Sequence, residues 1–105
     1  MVVEDPSIRR FVAGVLKRQG HQVVEAEMAE ALRSLREHKS DVSLLVTNAP
    51  TQFLEFAATV PLLYIAAFPD PAMAARFHRC LTLTKPFRPI ELAECAAELA
   101  APEEA

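Results

Sequence analysis

Two short segments of this sequence carry side chains that could bind a metal ion or an anion. Glu4 and Asp5 are adjacent carboxylates, and carboxylate oxygens are ligands that Mg²⁺ and Ca²⁺ prefer. In a second interpretation, Asp5 caps the helix that follows and Glu4 is a solvated loop residue. Lys85 directly precedes Pro86, which places a cation beside a peptide bond that can adopt the cis form. A plainer interpretation makes Lys85 a surface lysine and Pro86 part of a helix start.

The histidines and cysteines do not form a catalytic set. His78 and Cys80 are two residues apart, and no third group is identifiable that would orient a Cys/His nucleophile pair. Cys80 and Cys95 also lie outside any metal-ligand spacing. We therefore expect two reduced cysteines in the core and a protein that is not an enzyme.

The apolar residues switch repeatedly between the period of strands and the period of helices. Only a short part of the segment 48–61 has a helical pattern, so the third helix is expected to be short. The predicted strands are 1–3, 21–26, 42–47, 62–67 and 80–84, and the predicted helices begin near residues 6, 28, 52, 70 and 89. Gly20 is predicted to end the first helix, and the helix over residues 70–79 is predicted to have Asp70 as its N-cap and Pro71 at its first position.

Strands that alternate with helices favour a parallel sheet that is covered on both faces. The sequence thus predicts an α/β protein with a five-stranded, doubly wound parallel sheet. In such folds the ligand site lies at the carboxyl ends of the strands. The residues predicted to lie there are Glu4, Asp5, Thr47, Asn48, Ala66, Ala67 and Lys85.

The segments VVEDPSIRR, LLVTNAP, LLYIAAF and LTKPF resemble the receiver domain of two-component response regulators, and the resemblance covers essentially the whole chain. In that family an acidic pair binds Mg²⁺, an Asp accepts a phosphoryl group, a Ser or Thr contacts the phosphate, and a Lys precedes a cis proline. The resemblance implies a flavodoxin-like (CheY-like) fold with a shortened third crossover helix. It also implies that Glu4 and Asp5 are the acidic pair and that Lys85 and Pro86 are the lysine and the cis proline.

The sequence departs from the family at the positions that carry the phosphoryl chemistry. Asn48 stands where the acceptor Asp is expected, and an alignment on Pro50 instead places Val46 there. Neither side chain can form an acyl phosphate, and Asn48 is also interpretable as a turn residue that bonds its own backbone. Ala66 stands in place of the Ser or Thr. Without an acceptor carboxylate, we expect Lys85 to pair with Asp5 or Glu4, and at most weak Mg²⁺ binding.

Charge and composition exclude several classes of partner. The chain has 11 Lys and Arg against 14 Asp and Glu, with a net charge of −3, and it lacks a basic stripe for a nucleic-acid backbone. No apolar run approaches the ~20 residues that cross a bilayer. We expect a cytoplasmic protein with one domain over residues 1–99 and a tail over residues 100–105.

The last predicted helix is apolar over more of its surface than a single core contact needs. Homodimerisation through this helix is one interpretation, and the resemblance implies a dimer surface made of the fourth helix, the fifth strand and the last helix. The other interpretation is that its alanines simply favour the helix.

Together these features predict a degenerate receiver, or pseudo-receiver. Such a module of a two-component system acts through protein contacts that do not depend on phosphorylation, with a histidine kinase or an output protein as partner. One alternative is a Mg²⁺-dependent phosphoacceptor that uses a non-standard carboxylate such as Asp5. Another is a purely structural dimer module.

Overall fold

A computed structural model describes residues 1–38 and 41–101. Its centre is a parallel sheet whose strands lie in the order β1-β2-β3-β4, so the predicted α/β class with a parallel sheet is confirmed. The strands are β1 (Val2–Val3), β2 (Leu45–Thr47), β3 (Leu62–Ala66) and β4 (Cys80–Thr84). The helices are α1 (Pro6–Arg18), α2 (Met28–His38), a 3-10 helix (Pro50–Phe56), α3 (Pro71–Ala74) and α4 (Pro89–Ala100).

The prediction of five strands differs from the structure, which has four strands among the described residues. The segment 21–26 forms a single parallel bridge, between Glu25 and Val2, with backbone hydrogen bonds that join Val2 to Val24 and Ala26. Among the described residues, the strand that it pairs with is β1, which is two residues long. Such a short strand offers too few backbone partners for a longer ladder, and Val24 remains 58% exposed.

The core lies on both faces of the sheet because successive strand residues point to opposite sides. Val46, Leu63 and Ile65 pack on one face against α1 and α4. Leu45, Leu62 and Tyr64 pack on the other face against α2 and the 3-10 helix. The helices therefore hold the sheet rigidly from both sides and fix the positions of the strand ends.

The helices in the two connections that flank β3 are short. The predicted shortening of the third crossover is confirmed, since a 3-10 helix with a non-helical residue at Phe53 takes the place of an α-helix. The helix predicted over residues 70–79 is only α3. The backbone N–H of His78 donates to the carbonyl of Ala57, which draws the chain out of the helical path after α3. Asp70 caps α3 as a first-position proline motif predicts, and its side chain accepts from the N–H of Ala72.

The long helices end where their sequence signals predict. Gly20, with φ of 92°, follows α1, and a positive φ is a conformation that favours glycine. The side chain of Glu91 accepts from the backbone N–H of Arg88, at 2.8 Å, and so caps the start of α4. The predicted domain end at residue 99 lies one residue before the end of α4, and residues 102–105 of the predicted tail lie outside the described residues.

Candidate functional site

The strand register brings the predicted site residues to one edge of the sheet. Val3 pairs with Thr47, so Glu4 and Asn48 each follow a paired position on neighbouring strands. At the other side, the N–H of Lys85 donates to the carbonyl of Ala66, at 2.9 Å. We call this edge, defined by Glu4, Asp5, Asn48, Ala66 and Lys85, the carboxyl-end site.

An ion pair between Glu4 and Lys85 is the central contact of the carboxyl-end site. Lys85 Nζ lies 3.3 Å from Glu4 Oε2, and the side chain of Glu4 is fully buried. The expectation that Lys85 pairs with one of the two acids is therefore confirmed, and the acid is Glu4. A buried carboxylate is strongly disfavoured unless a cation or hydrogen-bond donors compensate for the lost water. The interpretation of Glu4 as a solvated loop residue is wrong.

The hydrogen bonds of Glu4 are incomplete. Its Oε1 accepts from the backbone N–H of Asp5 at 3.0 Å, whereas Oε2 is buried without a hydrogen bond of good geometry. The contact of Oε2 with Lys85 is thus an ionic contact rather than a directional bond. Lys85 keeps 24% of its side chain exposed, so it holds the pair at the boundary between core and solvent.

Asp5 is exposed and stands at the N-cap position of α1. Its side chain makes no capping hydrogen bond, so the interpretation of Asp5 as a side-chain cap is wrong. Only its backbone carbonyl takes part, by accepting from the N–H of Arg9 at 2.7 Å. Within the described part of the chain the carboxylate of Asp5 is left without an ion pair.

The structure separates the two candidates for the acceptor position. Val46 is fully buried in the core face that packs against α1 and α4, so it belongs to the core and not to the carboxyl-end site. Asn48 is exposed directly after β2. The turn there depends on Thr47 instead, whose Oγ1 accepts from the N–H of Ala49 at 3.1 Å. Sequence reasoning missed this role, although a hydroxyl at a strand end is a signal for such a turn.

Ala66 lies at the carboxyl-end site, and Pro86 directly follows Lys85. Ala66 ends β3 and is half-buried, and it brings a methyl group rather than a hydroxyl to the site. The Lys85–Pro86 peptide bond is cis, which matches the expected isomer. The carboxyl-end site thus has a lysine followed by a cis proline, but neither a carboxylate directly after β2 nor a hydroxyl directly after β3.

The oxygen donors at this edge fit a divalent cation poorly. Two of them are carboxylates, and Glu4 already contacts the ammonium of Lys85. Among residues 1–38 and 41–101, no cluster of three or more His, Cys, Asp or Glu side chains could hold a metal ion. Mg²⁺ gives up its water reluctantly and depends on carboxylate charge. A cation here would have to compete with Lys85 for Glu4, and the one other carboxylate of the carboxyl-end site is Asp5.

Comparisons with protein-family models and with curated sequences identify no relative of this chain. No protein-family model matches the chain, and no curated protein sequence matches it. In the described ranges, none of the helices combines the length and the apolar character that crossing a bilayer requires.

Proposed function

We propose that this chain is a receiver-like signalling module with a flavodoxin-like (CheY-like) fold that takes up no phosphoryl group and acts through protein contacts. Its proposed setting is a cytoplasmic two-component system, with a histidine kinase or an output protein as partner. The parallel sheet, the helices on both faces and the cluster at the carboxyl ends of the strands support this proposal.

The observation that carries the proposal is the ion pair of Lys85 with Glu4 beside an amide at Asn48. In receivers the corresponding lysine contacts the acceptor carboxylate or the phosphate. In this chain the lysine has a carboxylate partner from the loop after β1, so its charge is compensated without any modification. A site in which Glu4 always compensates the charge of Lys85 would stay in one state.

The side chains after β2 and β3 support the loss of phosphoryl chemistry. An amide nitrogen is not a nucleophile toward a phosphoryl group under these conditions, and a methyl group cannot donate a hydrogen bond to a phosphate. Asn48 and Ala66 therefore remove the acceptor and the contact that would sense it. A signal carried by this module would depend on its surface and not on a change at the carboxyl-end site.

One observation favours an alternative function, in which Asp5 accepts the phosphoryl group. Asp5 is exposed and its carboxylate makes no side-chain cap, so an incoming phosphoryl donor could reach it. Lys85 is occupied by Glu4, however, and Ala66 brings no hydroxyl to the carboxyl-end site. The alternative thus has a nucleophile without its supporting groups.

The intact mass of the chain after incubation with acetyl phosphate and Mg²⁺ tests the proposal. We expect no change in mass, with an active receiver treated in parallel as the positive control. A gain of one phosphoryl group that hydroxylamine removes would overturn the proposal. If Asp5→Asn then abolishes the gain, the alternative function is correct.

A capture experiment tests the second half of the proposal. The chain is immobilised with and without prior acetyl phosphate treatment, and the bound proteins are identified by mass spectrometry. A histidine kinase or an output protein that binds equally in both conditions would support phosphorylation-independent contacts. Binding that requires acetyl phosphate would contradict them.

A further inference from the structure

Helices α1 and α4 lie side by side on one face of the sheet and carry opposite charges. α1 contains Arg9, Arg10, Lys17 and Arg18 but no acid, whereas α4 contains Glu91, Glu94 and Glu98 but no base. The ring of Phe11 on α1 lies 6.0 Å, centroid to centroid, from the ring of Phe87, which precedes α4 in the chain. The charges are thus segregated onto two adjacent helices of the same surface.

Part of this charge is neutralised within the chain and part is not. Arg9 and Lys17 both lie within 4 Å of Glu25, and Glu91 contacts Arg88. Within the ranges that the structure describes, the remaining charged groups of the two helices make no ion pair. They are Arg10 and Arg18 on α1 and Glu94 and Glu98 on α4.

The two helices border a groove with an apolar floor. Its lining includes Val15, Ala93 and Ala97, with Arg18 on the α1 side and Glu94 on the α4 side. The guanidinium of Arg18 folds back along α1, where Nη1 lies 3.5 Å from the position that a Cβ of Gly14 would take. Arg18 and Glu94 therefore line one groove, Arg18 from the α1 side and Glu94 from the α4 side.

Ile90 lines this groove, and both Ile90 and Phe11 on α1 remain in contact with water. Phe11 is 44% exposed and Ile90 is 57% exposed. Together with the apolar floor they form a surface in which apolar groups are surrounded by charged ones, an arrangement common at protein interfaces. We call the face made by α1 and α4 the helix-pair face.

We propose that the helix-pair face binds a second copy of this chain in a two-fold symmetric dimer, with α1 of each copy lying on α4 of the other. A two-fold axis along the groove brings Arg18 of one copy to Glu94 of the other, and the symmetry repeats the contact. The apolar side chains Phe11 and Ile90 are covered at the same time. The opposite arrangement, with α1 on α1, would place basic side chains against basic ones and is disfavoured.

This surface is not the one that the resemblance to receivers implies. That surface needs the helix before the last strand, and here the helix is α3, which has only four residues. α3 is too short to form one side of an interface. The proposed dimer still uses the last helix, α4, but its second helix is α1.

The size of the helix-pair face predicts a weak dimer. A 13-residue helix is about 20 Å long, and two adjacent helices are about 20 Å wide. A footprint of about 400 Å² per copy belongs to the class of weak and transient interfaces. We expect association at about 100 µM, and about 10-fold weaker association when salt rises from about 50 mM to 500 mM.

Sedimentation velocity over about 10 to 500 µM, at low and high salt, measures this equilibrium. Arg18→Glu and Glu94→Arg should each weaken the dimer by about 10-fold or more, because each places two like-charged pairs in the interface. An equimolar mixture of the two variants should restore the dimer, since both cross-pairs are then opposite in charge. Arg33→Glu, on the exposed side of α2, is the control with the same charge change and should have no effect.

Three results would overturn the proposal. The first is a chain that stays monomeric at about 500 µM and low salt. The second is a dimer that tolerates both Arg18→Glu and Glu94→Arg, or that the mixture fails to restore. The third is equal weakening by Arg33→Glu, which would show that net charge and not the helix-pair face governs association. All the substituted side chains are exposed, and circular dichroism checks that each variant is folded.

Discussion

Lys85 Nζ lies 3.3 Å from Oε2 of Glu4, and this contact joins the loops that follow β4 and β1. These strands are at opposite ends of the order β1-β2-β3-β4, so the ion pair spans the sheet. Because the Glu4 side chain is fully buried, the folded chain needs Lys85 to compensate for the charge of this carboxylate.

Removal of Lys85 should destabilise the protein. Lys85→Met leaves the buried carboxylate of Glu4 without its cation, and we expect a loss of about 2 kcal/mol in the free energy of unfolding. This is less than for a fully buried pair because Lys85 is partly exposed. Urea denaturation measures the loss.

A double-mutant cycle separates the pair from its surroundings. Glu4→Gln combined with Lys85→Met should cost less than the sum of the single substitutions. Lys17→Met is the matched control, since Lys17 contacts Glu25 at a more exposed position and should cost less than about 0.5 kcal/mol. Strict additivity of the Glu4 and Lys85 effects would show that the pair contributes no coupling.

A carboxylate introduced after β2 should give little phosphorylation. Asn48→Asp supplies the acceptor, but Lys85 is held by Glu4 and Ala66 lacks a hydroxyl. We expect weak labelling by acetyl phosphate and Mg²⁺, and stronger labelling in Asn48→Asp/Ala66→Ser. Intact mass gives the extent, and full labelling of the single variant would mean that neither the Lys85–Glu4 pair nor the missing hydroxyl at Ala66 limits phosphorylation.

Mg²⁺ should bind weakly and in competition with Lys85. Calorimetry at low salt should show no saturation at submillimolar Mg²⁺, because Glu4 is already paired and only Asp5 is left. Lys85→Ala should strengthen binding by at least about 5-fold, since it removes a cation in contact with the ligand. The corresponding Lys17→Ala variant is the control. Tight binding by the unmodified chain would contradict this account.

Thr47 should contribute to stability through its hydroxyl. Thr47→Val keeps the shape of the fully buried side chain but leaves the N–H of Ala49 without its acceptor. We expect a loss of about 1 to 2 kcal/mol in thermal or urea unfolding. Thr59→Val, at an exposed position, should cost less than about 0.5 kcal/mol, and an equal cost at both positions would argue against the turn.

Both thiols should react slowly at neutral and mildly alkaline pH. Burial raises the pKa of the Cys80 thiol to about 11, and burial followed by Glu98, Glu91 and Glu94 raises the pKa of the Cys95 thiol. Because the thiolate is the reactive form, iodoacetamide at pH 8 should label Cys80 about 10-fold or more slowly than in the urea-unfolded chain, and it should also label Cys95 more slowly when the chain is folded. Cys95→Ser assigns the rates, and equal rates in the two states would refute the raised pKa values.

The same shifts predict a loss of stability in alkali. The unfolded chain releases the Cys80 proton near the ordinary pKa of 9.0, whereas the folded chain holds it to about 11. The folded state therefore binds more protons in this window, and stability should fall as the pH rises from 9 to 11. Cys80→Ala should flatten this dependence, as measured by urea midpoints across the range.

Much of the fold follows from local sequence signals. The apolar period and the proline and glycine positions predict the starts of α1 and α4 and the stop at Gly20, because helix ends depend on residues that are close in the chain. The run from Cys80 to Thr84 predicts β4 with its observed bounds. The absence of a carboxylate at Asn48 is likewise a property of the sequence alone, and it is enough to predict the loss of the acceptor.

Only the tertiary structure decided which residues meet across the fold. Local patterns did not show that segment 21–26 would make a single bridge, because a strand needs a neighbour of sufficient length and β1 has two residues. They left Val46 and Asn48 as alternatives, and burial assigned Val46 to the core. They also left Glu4 and Asp5 as alternative partners of Lys85. The packing that buried Glu4 and left Asp5 in water selected the partner, since a charge removed from water needs compensation and an exposed one does not.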